Sequence, residues 1–518
     1  MLINFFLEII PIYKILPEIW LFISILFLVI FNFIFGEQFD HLYSIFFYLY
    51  CVISLLITLI LLIIIYKFSL VTNLENDFIL LNFKIYFMKI LVLTLSKICL
   101  ILFRYSLTEK SETSCIFYFV FYLSSILICL ITISINSLYI NYLFCSFEIL
   151  SFFFYILASF NYNNFAYLKF RPLRPRKLLY LSFFSGFIGL VLFESHFCIW
   201  SYNLSKHTEV LDYFLILVNN NEYILICSIF FLILSLLLKL TTYYFPTYYI
   251  YYKKTPLITI IYIHLIPKAI FLYFLVELIF TNFYFNILKN YLTLLLISVS
   301  LCCLVIGIGM RRLFLKHFLE NLALVNTGYL LLCLTPLTFE SLNYCIYFYY
   351  YYILTILLYG GIASFFDNEL NPGKRISFDT ILADIEKKDY VTIVSFLIIF
   401  LFCGMPPTRR DYPCSRGIPF NGLFFQWILL NSLISANFYL ISFFLIIFNW
   451  ILFLFFIWTI FPFWFHERKN QKLDNFPKYF NIFMFEFLIY YIIFVVSTLL
   501  IFSNSVILNF LKSFYLFV

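Results

Sequence analysis

Residues 43–66 read YSIFFYLYCVISLLITLILLIIIY, twenty-four residues without a single charge. A helix needs about 20 mostly apolar residues to cross the hydrocarbon core of a bilayer. This run is long enough, and it shows no alternation of period two. Only helices and closed barrels satisfy their backbone polar groups inside lipid. Residues 43–66 are therefore a membrane-spanning helix, and the question becomes how many more the chain contains.

The composition answers in the same sense. Of 518 residues, 64% are hydrophobic and only 11% are charged. Mean hydropathy is +1.02. A soluble domain is about 25% charged, so this chain lacks the polar residues to coat a water-soluble enzyme. Apolar runs of spanning length lie near 19–36, 43–66, 78–103, 115–135, 137–160, 178–201, 223–245, 256–281, 290–310, 319–338, 343–366, 391–436, 437–464 and 484–510. The expected fold class is all-α: a polytopic membrane protein with about fourteen transmembrane helices and the lipid bilayer as its solvent.

The basic residues test that count. Loops following odd-numbered spans hold twenty Lys and Arg, while even loops and the two termini hold five. Such asymmetry follows the positive-inside rule. It places both termini on the outer side, the intermembrane-space side in a mitochondrion. The net charge of +7 belongs to these loops, not to a basic soluble domain, so no nucleic-acid partner is expected. Thirteen Cys are scattered, mostly inside apolar runs, without a C-x-x-C pair. Neither a metal site nor a disulfide framework is expected, and the thiols act as small buried hydrophobes. Phe, Ile, Tyr, Leu, Asn and Lys stand where Ala, Gly and Val would serve, as AT-rich codons dictate. With no cleavable signal or transit peptide in MLINFFLEIIPIYKILPE, the chain is expected to be organelle-encoded.

Three charges interrupt the spans. Glu148 lies in span five (LFCSFEILSFFFYILASF), Lys239 in span seven (FLILSLLLKLTTYYFP) and Lys268 in span eight (IIYIHLIPKAIFLYF). A central charge costs about 2.5–3.5 kcal/mol on insertion scales. Burial favours the neutral form of carboxyl and amine alike, which suits both groups to exchanging protons. The competing reading is a structural ion pair, or snorkelling in the case of Lys239. His264, four residues before Lys268, shares its helix face and is a candidate relay; the alternative is a hydrogen-bonded core histidine. Two spans carry breaks, at Phe245-Pro246 in span seven and Gly404-Met405-Pro406-Pro407 in span twelve. Broken helices beside buried charges are typical of transporters built from inverted repeats. The expected organisation is 1–114 (spans one to three), 115–281 (first repeat, spans four to eight), 282–464 (second repeat, spans nine to thirteen) and 465–518 (span fourteen).

Several segments resemble NADH dehydrogenase subunit 2, an antiporter-like membrane subunit of respiratory complex I. They are Leu16-Pro17-Glu18-Ile19; Ser134-Ile135-Asn136-Ser137-Leu138 with Phe147-Glu148-Ile149-Leu150-Ser151 and Tyr155-Ile156-Leu157-Ala158; Pro256 with Ile266-Pro267-Lys268-Ala269; Lys316-His317-Phe318-Leu319 through Asn326-Thr327-Gly328-Tyr329; and Gly404-Met405-Pro406-Pro407. They run in the family's order from about residue 16 to residue 436. Ser151 and Pro267 favour subunit 2 over its sister subunits. The resemblance implies proton translocation through Glu148, Lys239 and Lys268, as a non-redox subunit of an NADH:ubiquinone reductase in the mitochondrial inner membrane. It also implies other membrane-arm subunits as partners. This chain would bind no cofactor: NADH, FMN, Fe–S clusters and ubiquinone would sit on other subunits.

The likeness has departures. The family's span-twelve Lys falls on Gln426, which cannot titrate, and residues 408–419 (TRRDYPCSRGIP) are extra. The His that usually follows the span-seven break is missing. Gln426 favours a scaffold that kept the fold and lost conduction. A stand-alone cation/proton antiporter is the remaining alternative.

Overall fold

The computed structural model describes residues 15–35, 41–72, 83–104, 114–135, 140–159, 257–282, 286–309, 315–338, 429–451, most of 341–357, and 233, 234, 236 and 237. Helix dominates, and no strand occurs among the described residues. The principal helices are α1 (Leu16–Phe35), α2 (His41–Thr72), α3 (Phe83–Arg104), α4 (Ser114–Ser134), α5 (Ile140–Ser159), α6 (Leu257–Asn282), α7 (Asn286–Gly309) and α8 (Leu315–Leu334). A further apolar helix, α9, covers Tyr439–Ile451. These coincide with predicted spans one to five, eight to ten and thirteen. Spans six and fourteen, nearly all of seven, and all of twelve except 429–436 lie outside the described residues. So do the breaks at 245–246 and 404–407.

Four of these helices, α1, α2, α4 and α6, contain stretches long and apolar enough to cross a membrane: Leu16–Ile34, Phe46–Tyr66, Phe117–Ser134 and Thr259–Glu277. Their ends follow local rules. Pro17 sits in the first turn of α1, where a missing N–H removes no helical bond. Glu18 lies beside it at the positive end of the helix dipole. Hydroxyls inside the spans are satisfied locally, because Ser24, Ser54, Thr58, Ser96 and Thr132 each donate to the carbonyl three residues back. An apolar helix therefore carries them without an orphaned donor.

The chain divides into two units, residues 1–284 with 502–518, and residues 285–501. In the first, α1, α2, α3 and α4 form a ring in which each packs on the next and α4 returns to α1. Ring contacts fix the directions. Phe27 meets Tyr50 and Phe31 meets Phe46 and Phe47, so α1 and α2 are antiparallel. Tyr66 meets Tyr86 across the α2–α3 connection. Helix α6 lies against α3, α4 and α5. It is enclosed along its whole spanning stretch, 100% buried, against 28% for α1.

In the second unit α7 and α8 form a closely packed pair. Glycine permits the approach. A Cβ on Gly328 would stand 3.0 Å from both Leu304 Cγ and the Ser300 carbonyl oxygen, and one on Gly307 would stand 2.5 Å from Val325 Cγ2. The helical turn at 429–435 ends in a left-handed cap. Asn437 has φ 65°. Its N–H bonds to Ile434 O (3.0 Å) and that of Phe438 to Leu433 O (2.9 Å), the bond pattern of a Schellman motif.

Candidate functional site

Helix α6 positions two of the predicted residues. His264 and Lys268 lie one turn apart and are enclosed, at 0% and 1% exposure. Between them stands Pro267, inside the helix. Proline has no N–H, so the carbonyl of Ile263 cannot receive the usual helical bond. A backbone acceptor is thereby freed within one turn of both side chains, in a segment otherwise made of Ile, Leu, Ala, Phe and Tyr.

Glu148 sits on α5, which packs on α6 in the opposite direction. Phe147 meets Phe271 and Phe274 (centroids 5.0 and 5.2 Å), and Phe154 meets Tyr262 (5.6 Å). Phe147, adjacent to Glu148, thus touches α6 one turn beyond Lys268. The acid and the amine stand on facing helices within about two turns of one level. Glu148 is only partly buried; Phe147 on one side is enclosed, and Ile149 on the other is exposed. The structure therefore brings Glu148, His264 and Lys268 into one packed helix pair. Lys239 and Gln426 lie outside the described residues.

A set of hydroxyls ties α6 to its other neighbours. Ser125 Oγ of α4 lies 2.6 Å from Tyr262 Oη. Tyr122 Oη donates to the Ser96 carbonyl of α3 at 2.6 Å. The Tyr122 and Tyr262 rings stand 4.4 Å apart. Ser96, Ser125, Tyr122 and Tyr262 are all enclosed. Buried hydroxyls that find partners specify a helix arrangement, because any slip would orphan them.

The structure also holds a charged pair that the sequence did not single out. Lys89 Nζ of α3 donates to Glu18 Oε1 of α1 at 2.5 Å. Both residues are buried, Lys89 to 1% and Glu18 to 5% exposure. It is the only ion pair among the described residues. It joins α1 to α3, which face each other across the ring instead of packing along their lengths. A signal was present: Lys89 stands inside span three in YFMKILVL, with Lys84 five residues before it. Four uncharged residues separate the two lysines, one fewer than flanked each residue singled out above.

Among the described residues no group of His, Cys, Asp and Glu is arranged to hold a metal. Cys51, Cys99, Cys129, Cys303, Cys333 and Cys345 are buried free thiols.

The architecture defines the class: a chain whose described residues are almost entirely helical and whose apolar helices enclose ionisable side chains. No protein-family model and no curated protein sequence matches it. Solved structures do. A chain of respiratory complex I from Thermus thermophilus matches with TM-score 0.63 and 11% identity, covering 92% of this chain and 95% of that one. A chain of the membrane-bound sulfane sulfur reductase, an archaeal respiratory membrane complex, matches with TM-score 0.73 and 12% identity, covering 97% of each. A chain of the Mrp complex from Dietzia sp. matches with TM-score 0.64 and 11% identity, covering 89% of this chain and 82% of that one. This chain thus shares the fold of chains in multi-subunit membrane complexes. That fold recurs in complexes of several kinds, and does not by itself single out subunit 2.

Proposed function

We propose that this chain is an antiporter-like, proton-translocating membrane-arm subunit of NADH:ubiquinone oxidoreductase, corresponding to subunit 2. It moves protons through buried side chains: Glu148 on α5, Lys239, and Lys268 with His264 on α6. It is a non-redox subunit. NADH, FMN, Fe–S clusters and ubiquinone belong to its partners, and the complex sits in the mitochondrial inner membrane with both termini of this chain on the intermembrane-space side.

One observation carries this reading. Lys268 is enclosed in the middle of a helix of membrane-crossing length, one turn from an enclosed His264 and packed on the helix that bears Glu148. Such a cluster costs several kcal/mol to bury, and packing alone gives no reason to keep it. The fold shared with respiratory-complex chains supports the same reading.

The test is proton translocation per electron in the purified complex reconstituted into vesicles. Lys268→Met and Lys239→Met each lower the ratio while NADH oxidation by the uncoupled complex persists. An unchanged ratio in both refutes conduction and leaves a scaffold, the reading that Gln426 favours. The alternative is a cation/proton antiporter working alone. In that case the chain purifies active without any NADH-oxidising partner.

A further inference from the structure

The Glu18–Lys89 pair sits inside the ring of α1–α4, and its chemistry is unfinished. Glu18 Oε1 accepts from Lys89, while Oε2 is buried with no hydrogen-bond partner among the described residues. Lys89 has three N–H donors, and Glu18 takes one. A buried pair repays its desolvation only when the remaining lone pairs and protons are also satisfied. This one does not meet that condition, so as a structural clamp it is inferior to two packed apolar side chains.

Its level in the bundle links it to the cluster on α6. Helices α3 and α4 are joined by nine residues, too few to return along a 22-residue helix, so they run antiparallel. By the same reasoning α4 and α5 run antiparallel, and the ring contacts of Phe147 and Phe154 make α5 antiparallel to α6. Therefore α3 and α6 run antiparallel. Tyr122 marks a common level, bonding to Ser96 on α3 and meeting the ring of Tyr262 on α6. Lys89 is seven residues before Ser96, about 10 Å along α3, and Lys268 is six after Tyr262, about 9 Å along α6. In antiparallel helices both steps go the same way. The backbones of Lys89 and Lys268 thus stand at nearly one level on two helices that pack together.

We propose that Lys89 and Glu18 are further members of the proton path, a second exchanging pair beside Lys268. The step is a simple transfer. The Lys89 Nζ–H bond breaks, the proton joins Glu18 Oε1, and the ammonium and carboxylate become a neutral amine and a carboxylic acid. The carboxylic acid turns so that its O–H points away from Lys89, a water that enters on that side accepts the proton and restores the carboxylate, and the amine of Lys89 is reprotonated from the side of Lys268. No redox partner is needed. This rests on the proton-translocating reading given above.

The experiment uses the intact complex in vesicles, with protons per electron as the readout and Lys268→Met as the reference. Lys89→Arg keeps the charge and the ion pair but removes the exchangeable amine, since Arg does not deprotonate. Glu18→Leu with Lys89→Met removes both charges together, which buried pairs tolerate. Both variants are expected to assemble and to lose translocation by the same factor as Lys268→Met. A normal ratio in either of them overturns this inference and makes the pair structural. A normal ratio in Lys268→Met and Lys239→Met alike instead overturns the underlying reading of the function.

Discussion

Substituting Glu18 by Gln would leave the Lys89 ammonium enclosed at 1% exposure with the acid it pairs with gone. Screening by solvent offers little relief at such burial. Two opposite charges about 3.5 Å apart at an effective dielectric of 20 attract by about 5 kcal/mol, and removing one partner of a buried pair costs about 3–5 kcal/mol. The loss falls on the opening of the α1–α4 ring. Two thiols there can report it, because Cys51 of α2 and Cys99 of α3 are both fully enclosed. Each reacts with a maleimide only when its surroundings open. With about 1.4 kcal/mol per power of ten, Glu18→Gln is expected to speed labelling of both by about 10²- to 10⁴-fold, measured by mass spectrometry of the labelled peptides. Adding Lys89→Met should return the rate to within about tenfold of the parent. If Glu18→Gln labels at the parent rate, or if the double variant labels faster than the single, the ring does not depend on this pair as argued.

Other perturbations read other parts of the fold. Gly328→Ala places a methyl 3.0 Å from the Ser300 carbonyl oxygen; backbone cannot step aside cheaply, so a loss of about 1–3 kcal/mol is expected as earlier thermal unfolding of the second unit. Tyr262→Phe and Ser125→Ala should each cost about 1 kcal/mol, and since they remove the same bond their combination should cost less than the sum, which a double-mutant cycle on thermal stability checks. Tyr329→Phe removes a hydroxyl that donates to Asn449 Oδ1 of α9; about 1 kcal/mol should be lost, seen as faster proteolysis within 439–451.

Helix positions were legible in the sequence because lipid imposes one simple demand, a long apolar run. That demand placed α1 to α8 within a few residues of the stretches expected for them, and α9 inside the stretch expected for span thirteen. Contact partners were not legible. Nothing in the string tells that α6 is enclosed on every side while α1 exposes Phe22, Ile23, Ile30 and Phe33, since both are long, largely apolar runs. His264 and Lys268 were found because charges in mid-span are conspicuous. Lys89 was not singled out because Lys84 stands five residues before it, inside the same span. Glu18 entered only as part of the segment Leu16-Pro17-Glu18-Ile19. Only the placing of α1 opposite α3 joins them.

The enclosure of α6 separates it from the mechanics of the bilayer. A helix in contact with acyl chains tilts or stretches its surroundings when the membrane thickens or thins. Helix α1 is only 28% buried along its spanning stretch, whereas α6 is wholly buried along its own. Sterol content, chain length and tension will therefore act on the rim of the first unit and reach Lys268 only through the helices around it. Its apolar residues answer to the volume their neighbours leave them, and that is why so polar a cluster can persist in so greasy a segment.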